Sequence, residues 1–349
     1  MSQFAGWLAQ RYRNNRPLTE YERRADLRQF DSSTLTPIDK GIIYIDDNCI
    51  EYVDRHFRYR GWALMGASVF ISLGIIFIVA ILHATMSLVD RVGSLASGDT
   101  YAIAGLIAVV LGFLAFVFWK LLLRDILRYQ YYPVRFDRIS QQVHVFTGKG
   151  AKVVSASWQD VKFIIGRDKP MGPGEGYTYD LRGLVMRGDQ VVHTFAVGSD
   201  SGRDPAITLA QWEMIRRFME EGRSALPFPP LQLYTSVEPS FRNAFIIHVS
   251  SAGEGLMLIA LPLTVPWALF RFLAMKLCRK PVWPAAVLRH GASANSGAPP
   301  LRAPAVYGRV NREGGRADEM ERFWKESIAA AKARNDEVRE QLQNGSISV

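Results

Sequence analysis

Residues 62–84 read WALMGASVFISLGIIFIVAILHA, a run without Asp, Glu, Lys or Arg in which His83 is the one ionisable side chain. As a helix it matches the ~20 residues that a hydrocarbon core about 30 Å thick requires. A second uncharged run, YAIAGLIAVVLGFLAFVFW, fills 101–119 and extends through Leu121–Leu123 beyond Lys120. The long stem of Lys120 can snorkel to an interface. Between the runs lies a short polar loop, 85–100, holding Asp90, Arg91 and Asp99. The reading is a transmembrane hairpin over 62–123. Gly66, Ser68, Gly74, Gly105 and Gly112 offer points of close helix approach, and Trp62, Tyr101 and Trp119 stand where interfacial aromatics prefer to sit.

Basic residues orient the hairpin. Arg55, Arg58 and Arg60 precede the first run, and Lys120, Arg124, Arg128, Arg135 and Arg138 follow the second, whereas the loop between has only Arg91. The positive-inside rule then places both ends, and the N-terminus, in the cytoplasm. The whole chain of 349 residues carries 42 Lys and Arg against 33 Asp and Glu, a net charge of +9. Because the positive charge gathers beside the apolar runs, it points to anionic membrane lipid as a partner and away from nucleic acid.

Residues 1–61 form a basic arm. Phe4, Trp7, Leu8 and Tyr12 recur at helical spacing among Arg11, Arg13 and Arg16, which suits either a membrane-surface helix or an arm packed on the protein's own domain. The first 28 residues have six arginines and no apolar core, so the spans themselves are expected to direct insertion. Residues 41–45 and 49–53 read as two short strands around Asp46-Asp47-Asn48, forming a small hairpin or adding to a later sheet.

Residues 132–222 read as an α+β module. Short strands are expected at 134–137, 143–146, 153–158, 163–166, 177–186 and 191–197, with a flexible loop KPMGPGEG at 169–176. A helix capped by Thr208 and stopped by Gly222 carries Leu209, Trp212, Ile215 and Met219 on one face. Beyond it, 243–284 holds a third apolar segment, uncharged from Gly255 to Phe270 but broken by Pro262 and Pro266 and followed by Arg271, Lys276, Arg279 and Lys280. A crossing would send that basic cluster outside, and a re-entrant or interfacial helical pair would not, so both readings stand. Residues 291–316 are rich in Gly, Ala, Ser, Pro and Arg and read as a linker. Residues 317–343 read as an amphipathic helix whose Trp324, Ile328, Ala331, Asn335, Val338 and Leu342 make a heptad seam, for a partner or for this chain's own domain.

No catalytic motif stands out. There is no HExxH, no GxSxG and no paired cysteine, and Cys49 and Cys278 give neither a disulfide framework nor metal spacing. His144 and His193 alternate with apolar residues and read as outward strand positions. No cofactor, metal site or enzyme activity is therefore expected. Lys149, Lys152, Arg167, Lys169, Arg182 and Arg187 are the candidates for phosphate or lipid-headgroup contact, against the plainer reading of a solvated basic face.

Several strands followed by one helix is the element order of a pleckstrin-homology-like barrel. PVRFDRISQQVHVF at 133–146, then Trp158-Gln159-Asp160-Val161 and the closing helix, is similar to bacterial members of that superfold. The fold class expected is thus a membrane protein with an α-helical transmembrane hairpin, a cytoplasmic α+β pleckstrin-homology-like barrel and a C-terminal helix. Tyr131-Tyr132-Pro133-Val134-Arg135-Phe136-Asp137-Arg138, Trp158 and the stretch Arg279 to Pro284 resemble an uncharacterised family of bacterial membrane proteins often encoded near type VI secretion effectors. That resemblance implies a bacterial inner-membrane, multi-pass protein that binds a protein partner, with a role in immunity to, or handling of, a toxin or effector. A membrane-proximal lipid-binding or envelope-assembly module is the other reading.

Overall fold

The computed structural model of the chain describes residues 12–29, 35, 37–38, 41–122, 125–147, 152–168, 177–202, 205–226, 235–252, 257–291 and 300–307. Two antiparallel sheets face each other across one core. The first has the order β10-β2-β3-β4-β5-β6 and the second β1-β9-β8-β7. Their strands are β1 (Arg16–Pro17), β2 (Ile42–Ile45), β3 (Cys49–Tyr52), β4 (Val134–Asp137), β5 (Gln142–Phe146), β6 (Val153–Ser157), β7 (Val161–Asp168), β8 (Thr178–Arg187), β9 (Gln190–Gly202) and β10 (Leu301–Arg302). Alternation decides what points inward: Ile50, Tyr52, Val134, Phe136, Val143, Val145, Leu181 and Val185 all reach the core.

A helix of 16 residues, α4 (Pro205–Glu220), closes the core. Trp212 stacks on Trp158 at 5.8 Å and 16°, and its ring lies 4.9 Å from that of Phe163. Proline at the first helical position starts this helix. Thr208, expected as its cap, is instead buried inside it. Gly222 stops it as expected, at φ 95°.

Residues 53–133 interrupt this domain. β3 and β4, which flank them, pair directly, Cys49 opposite Asp137 and Tyr52 opposite Val134. The two short strands at 41–53 therefore form a hairpin and also join the later sheet, so the domain is discontinuous and does not begin at 132. The basic arm joins it too. The short helix α1 (Glu20–Arg24) is held by a capping box of Thr19 and Glu22. Leu18, Tyr21 and Ala25 cover Ile164, Leu184 and Val191 on the outer face of the second sheet. Residues 12–29 of the arm thus pack on the protein's own domain, whereas Phe4, Trp7, Leu8 and Arg11 of the expected amphipathic helix lie outside the described residues.

The interruption is a pair of helices, α2 (Trp62–Val92) and α3 (Ser97–Val117). Both are long and apolar enough to cross a bilayer. Their large apolar side chains, among them Leu73, Ile76, Val79, Val109, Leu111 and Phe116, stand exposed. The connecting loop expected at 85–100 shrinks to 93–96, because Asp90 and Arg91 end the apolar run without ending the helix. Leu114 seats against Gly74, where a Cβ would meet it at 2.5 Å, whereas Gly105 and Gly112 face open space. Only one of those three expected approach points is used.

The third apolar segment is a helical hairpin, α5 (Phe241–Ala252) and α6 (Met257–Leu277), with Pro262 and Pro266 inside α6. Ring contacts Phe241–Phe272 and His248–Trp267 run in opposite senses along the two helices, so they are antiparallel. A short helix, α7 (Ala285–Gly291), follows. Residues 300–307, expected within a linker, are docked: β10 pairs with β2, and Ser236 Oγ donates to the Ala305 carbonyl. Edge pairing needs backbone groups and little apolar sequence, which is why composition hid it.

Candidate functional site

Where the helices meet the β-domain, buried polar groups gather that no motif announces. The N-terminus of α2 has no side-chain cap of its own, since its N-cap is Gly61. Asp125, from the far side of the hairpin, supplies one. Its Oδ2 accepts from the N–H groups of Gly61, Ala63 and Leu64 at 3.0, 2.9 and 3.1 Å. A carboxylate there satisfies orphan donors and meets the positive end of the helix dipole. Arg60 Nη1 lies 3.8 Å from Asp125 Oδ1, and both side chains are almost wholly buried. Arg60 also donates to the Tyr129 carbonyl at 2.6 Å and lies over the Tyr132 ring.

The α5–α6 hairpin is tied to the same junction. Arg271, buried on α6, donates to the Phe57 and Arg58 carbonyls at 2.6 and 2.9 Å. Gln130 Nε2 donates to the Met275 carbonyl, and Cys278 Sγ to that of Asp125. Backbone bonds join Gln130 to Arg279 and Arg279 to Arg128. Trp62 stacks on Trp267 at 4.7 Å. Gly61 allows this contact: at φ 92° a Cβ would lie 2.5 Å from the Arg271 backbone. Gly61→Ala is expected to cost about 2–4 kcal/mol, from a strained left-handed residue plus a backbone clash. Thermal melts of the detergent-solubilised protein measure it, and a melt within a degree or two of the parent would contradict the packing.

A second buried cluster fixes the arm to the β-domain. Asp180 accepts from Tyr12 Oη at 2.7 Å, lies 3.0 Å from Arg55 and pairs with Arg182 at 2.9 Å. Burial raises the Asp180 carboxyl pKa, but Arg182 and Arg55 outweigh it and leave it below the usual range. Nearby, Asn14 Oδ1 accepts from the Thr194 N–H, so its amide nitrogen must donate to His193 Nδ1, 3.2 Å away. His193 is thereby fixed as the neutral ring.

Burial pushes the His193 pKa down to about 4. An unfolded histidine titrates near 6.5, so the unfolded chain takes up this proton first as pH falls. Stability complete above about pH 6.5 is expected to fall by roughly 2–3 kcal/mol as pH drops toward 4. Denaturant titrations across this range should show the slope, and His193→Gln should remove this share of it.

The candidate basic residues are dispersed. β3 ends at Tyr52 beside the helices, and Phe146 at the end of β5 returns to them, its ring 4.8 Å from Tyr129. Lys152, exposed just beyond, belongs to this helix-facing end. So does Arg167: Gly198 bonds Val53, and Val197, Leu181 and Ile165 continue the same row next to it. Arg167 is exposed, with its guanidinium over Tyr21 and Tyr177. Arg187 sits at the opposite end, in the β8–β9 turn. Arg182 pairs with Asp180, an internal carboxylate, at 2.9 Å. Lys149, Lys169 and the whole seam from Trp324 to Leu342 lie outside the described residues. His144 and His193 do point away from the core, but both are covered rather than solvated.

Among the described residues, no group of three or more His, Cys, Asp or Glu is placed to hold a metal. A cavity of about 10 Å³ lies among Phe57, Ser236, Asn243, Arg271 and Met275, room for about one water.

The chain is thus a β-domain split by a span-length helical pair, whose two ends are fastened to each other through Arg60 and Asp125 and to the α5–α6 hairpin through Arg271. Residues 111–295, just over half of the chain, match the model of a family of unknown function, DUF6708, and the chain belongs to that family. No curated protein and no solved structure matches it.

Proposed function

We propose that this chain is a non-enzymatic, multi-pass protein of the bacterial inner membrane that holds its β-domain at the cytoplasmic surface to bind a protein partner. The observation that carries the reading is the insertion of α2 and α3 between the paired strands β3 and β4. A domain fastened at both ends of a membrane hairpin keeps a fixed face toward the bilayer and offers the rest to the cytoplasm. Four strands from β3 to β6, three from β7 to β9 and closing α4 support a pleckstrin-homology-like barrel. The resemblance noted in the sequence suggests a secreted toxin or effector as the partner, bound for immunity or handling. Expression in a bacterium should then protect against a toxin encoded beside the gene, and Arg187→Glu at the exposed β8–β9 turn should weaken protection without loss of protein. Absence of protection, with that toxin neutralised by another neighbouring gene, would sink the immunity reading.

Exposed Lys152 and Arg167 at the helix-facing end favour a second reading, a lipid-binding or envelope-assembly module. Each basic residue near an anionic surface contributes about 1 kcal/mol of attraction, without any headgroup pocket.

A further inference from the structure

We propose that α5 and α6 form a re-entrant hairpin embedded in the cytoplasmic leaflet, entering and leaving on the same side as the β-domain. This rests on the reading of α2 and α3 as membrane spans. Both ends of the hairpin are anchored where the helices meet the β-domain: near the start of α5, Asn243 donates to the Ala305 carbonyl and accepts from the Tyr307 N–H. Just past the end of α6, Arg279 is bonded to Arg128 and Gln130. Between these anchors the hairpin projects alongside the start of α2, Arg271 beside Gly61 and Trp267 on Trp62.

Length limits how far it goes. The 12 residues of α5 rise about 18 Å at 1.5 Å each, short of a core about 30 Å thick. The part of α6 before Arg271 covers about 21 Å by the same rise. The hairpin therefore turns back inside the bilayer, which keeps Lys276, Arg279 and Lys280 on the cytoplasmic side and removes the conflict with the positive-inside rule.

The surface chemistry fits a lipid leaflet. Val265, Leu269, Leu273 and Leu277 recur every four residues and are exposed along α6, on the side away from Trp267 and Arg271, which meet the start of α2. Around its base, Leu127 and Val282 are each 70% exposed and stand beside exposed Arg128, Arg279 and Lys280. Leu127 also has φ 58°, a left-handed conformation that costs a branched side chain. A leucine held so, pointing out among cations, suits the boundary between acyl chains and anionic headgroups, where the apolar tip and its basic neighbours both find partners.

The test uses full-length protein in vesicles of phosphatidylcholine and phosphatidylglycerol, with one fluorophore at a time on introduced cysteines. Native Cys49 and Cys278 are buried. Labels replace Val265, Leu273, Leu127, Ile76 on α2 and Ser155 on β6. Bromines deep in the acyl chains should quench at Val265 and Ile76; bromines near the headgroups should quench at Leu273 and Leu127, and neither should quench at Ser155. Quenching at Ile76 but not at Val265 would overturn the re-entrant hairpin and leave the spans standing. No quenching at Ile76 would overturn both together. Labelling of Glu254→Cys by an impermeant reagent from the outer side would also overturn it, since that outcome means a full crossing.

Discussion

Asp125→Ala is expected to destabilise the protein by about 3–5 kcal/mol, the cost of removing one member of a buried ion pair. Two losses coincide there. Three N–H groups at the start of α2 lose the carboxylate that accepts from them, and Arg60 loses an anion 3.8 Å away in a site closed to solvent. A cap alone contributes about 1 kcal/mol, so most of the effect comes from Arg60. The double change Arg60→Met with Asp125→Ala should be milder than Asp125→Ala alone, because it removes the buried cation as well. Melts of the solubilised protein decide this. Equal losses in the single and double variants would mean that the two side chains do not act together.

Trp212→Asp should be worse still. The indole is fully buried between Trp158 and Phe163. Removing a buried tryptophan costs about 3–5 kcal/mol, and a carboxylate in that cavity adds a desolvation penalty of several kcal/mol. The sum approaches the whole stability of a typical domain. The variant is expected to lose the near-ultraviolet circular dichroism of the stacked indoles and to be degraded in cells. Retention of that signal would remove α4 from the core.

Much of the fold was legible because its signals are local. Two uncharged runs gave α2 and α3, and strand expectations at 134–137, 143–146, 153–158, 177–186 and 191–197 fall on β4, β5, β6, β8 and β9. Trp212 and Ile215 were placed on the buried face of α4 by helical spacing alone, and both reach the core. The pairing of β3 with β4 was hidden, because strands of four residues carry little periodicity and residues 53–133 separate them. The docking of residues 12–29 rests on side chains that reach a partner far along the chain, Tyr12 to Asp180 and Tyr21 to the Ile165 carbonyl. Polar residues in a basic arm look solvated until that partner is known. The same holds for Asp125, an ordinary carboxylate among arginines in the sequence and a helix cap in the structure.

The basic candidates show the limit of counting charges. Lys152 and Arg167 share one end of the β-domain, but Arg187 stands at the other and Arg182 is turned to Asp180. Their spacing along the chain holds no record of which strand end faces the helices. The pairing of β3 with β4 supplies it.

Cys49 lies opposite Asp137 across β3 and β4. Directly opposed residues of an antiparallel pair have Cα atoms about 4.5–5.5 Å apart, within the range a disulfide spans. The measurement is oxidation of Asp137→Cys in the full chain, with a protease site placed between α2 and α3 and cleaved afterwards. A β-domain assembled across the helical pair predicts that the two fragments stay joined on a non-reducing gel and separate on reduction. Two separate fragments without reductant, from protein that is still folded, would contradict it.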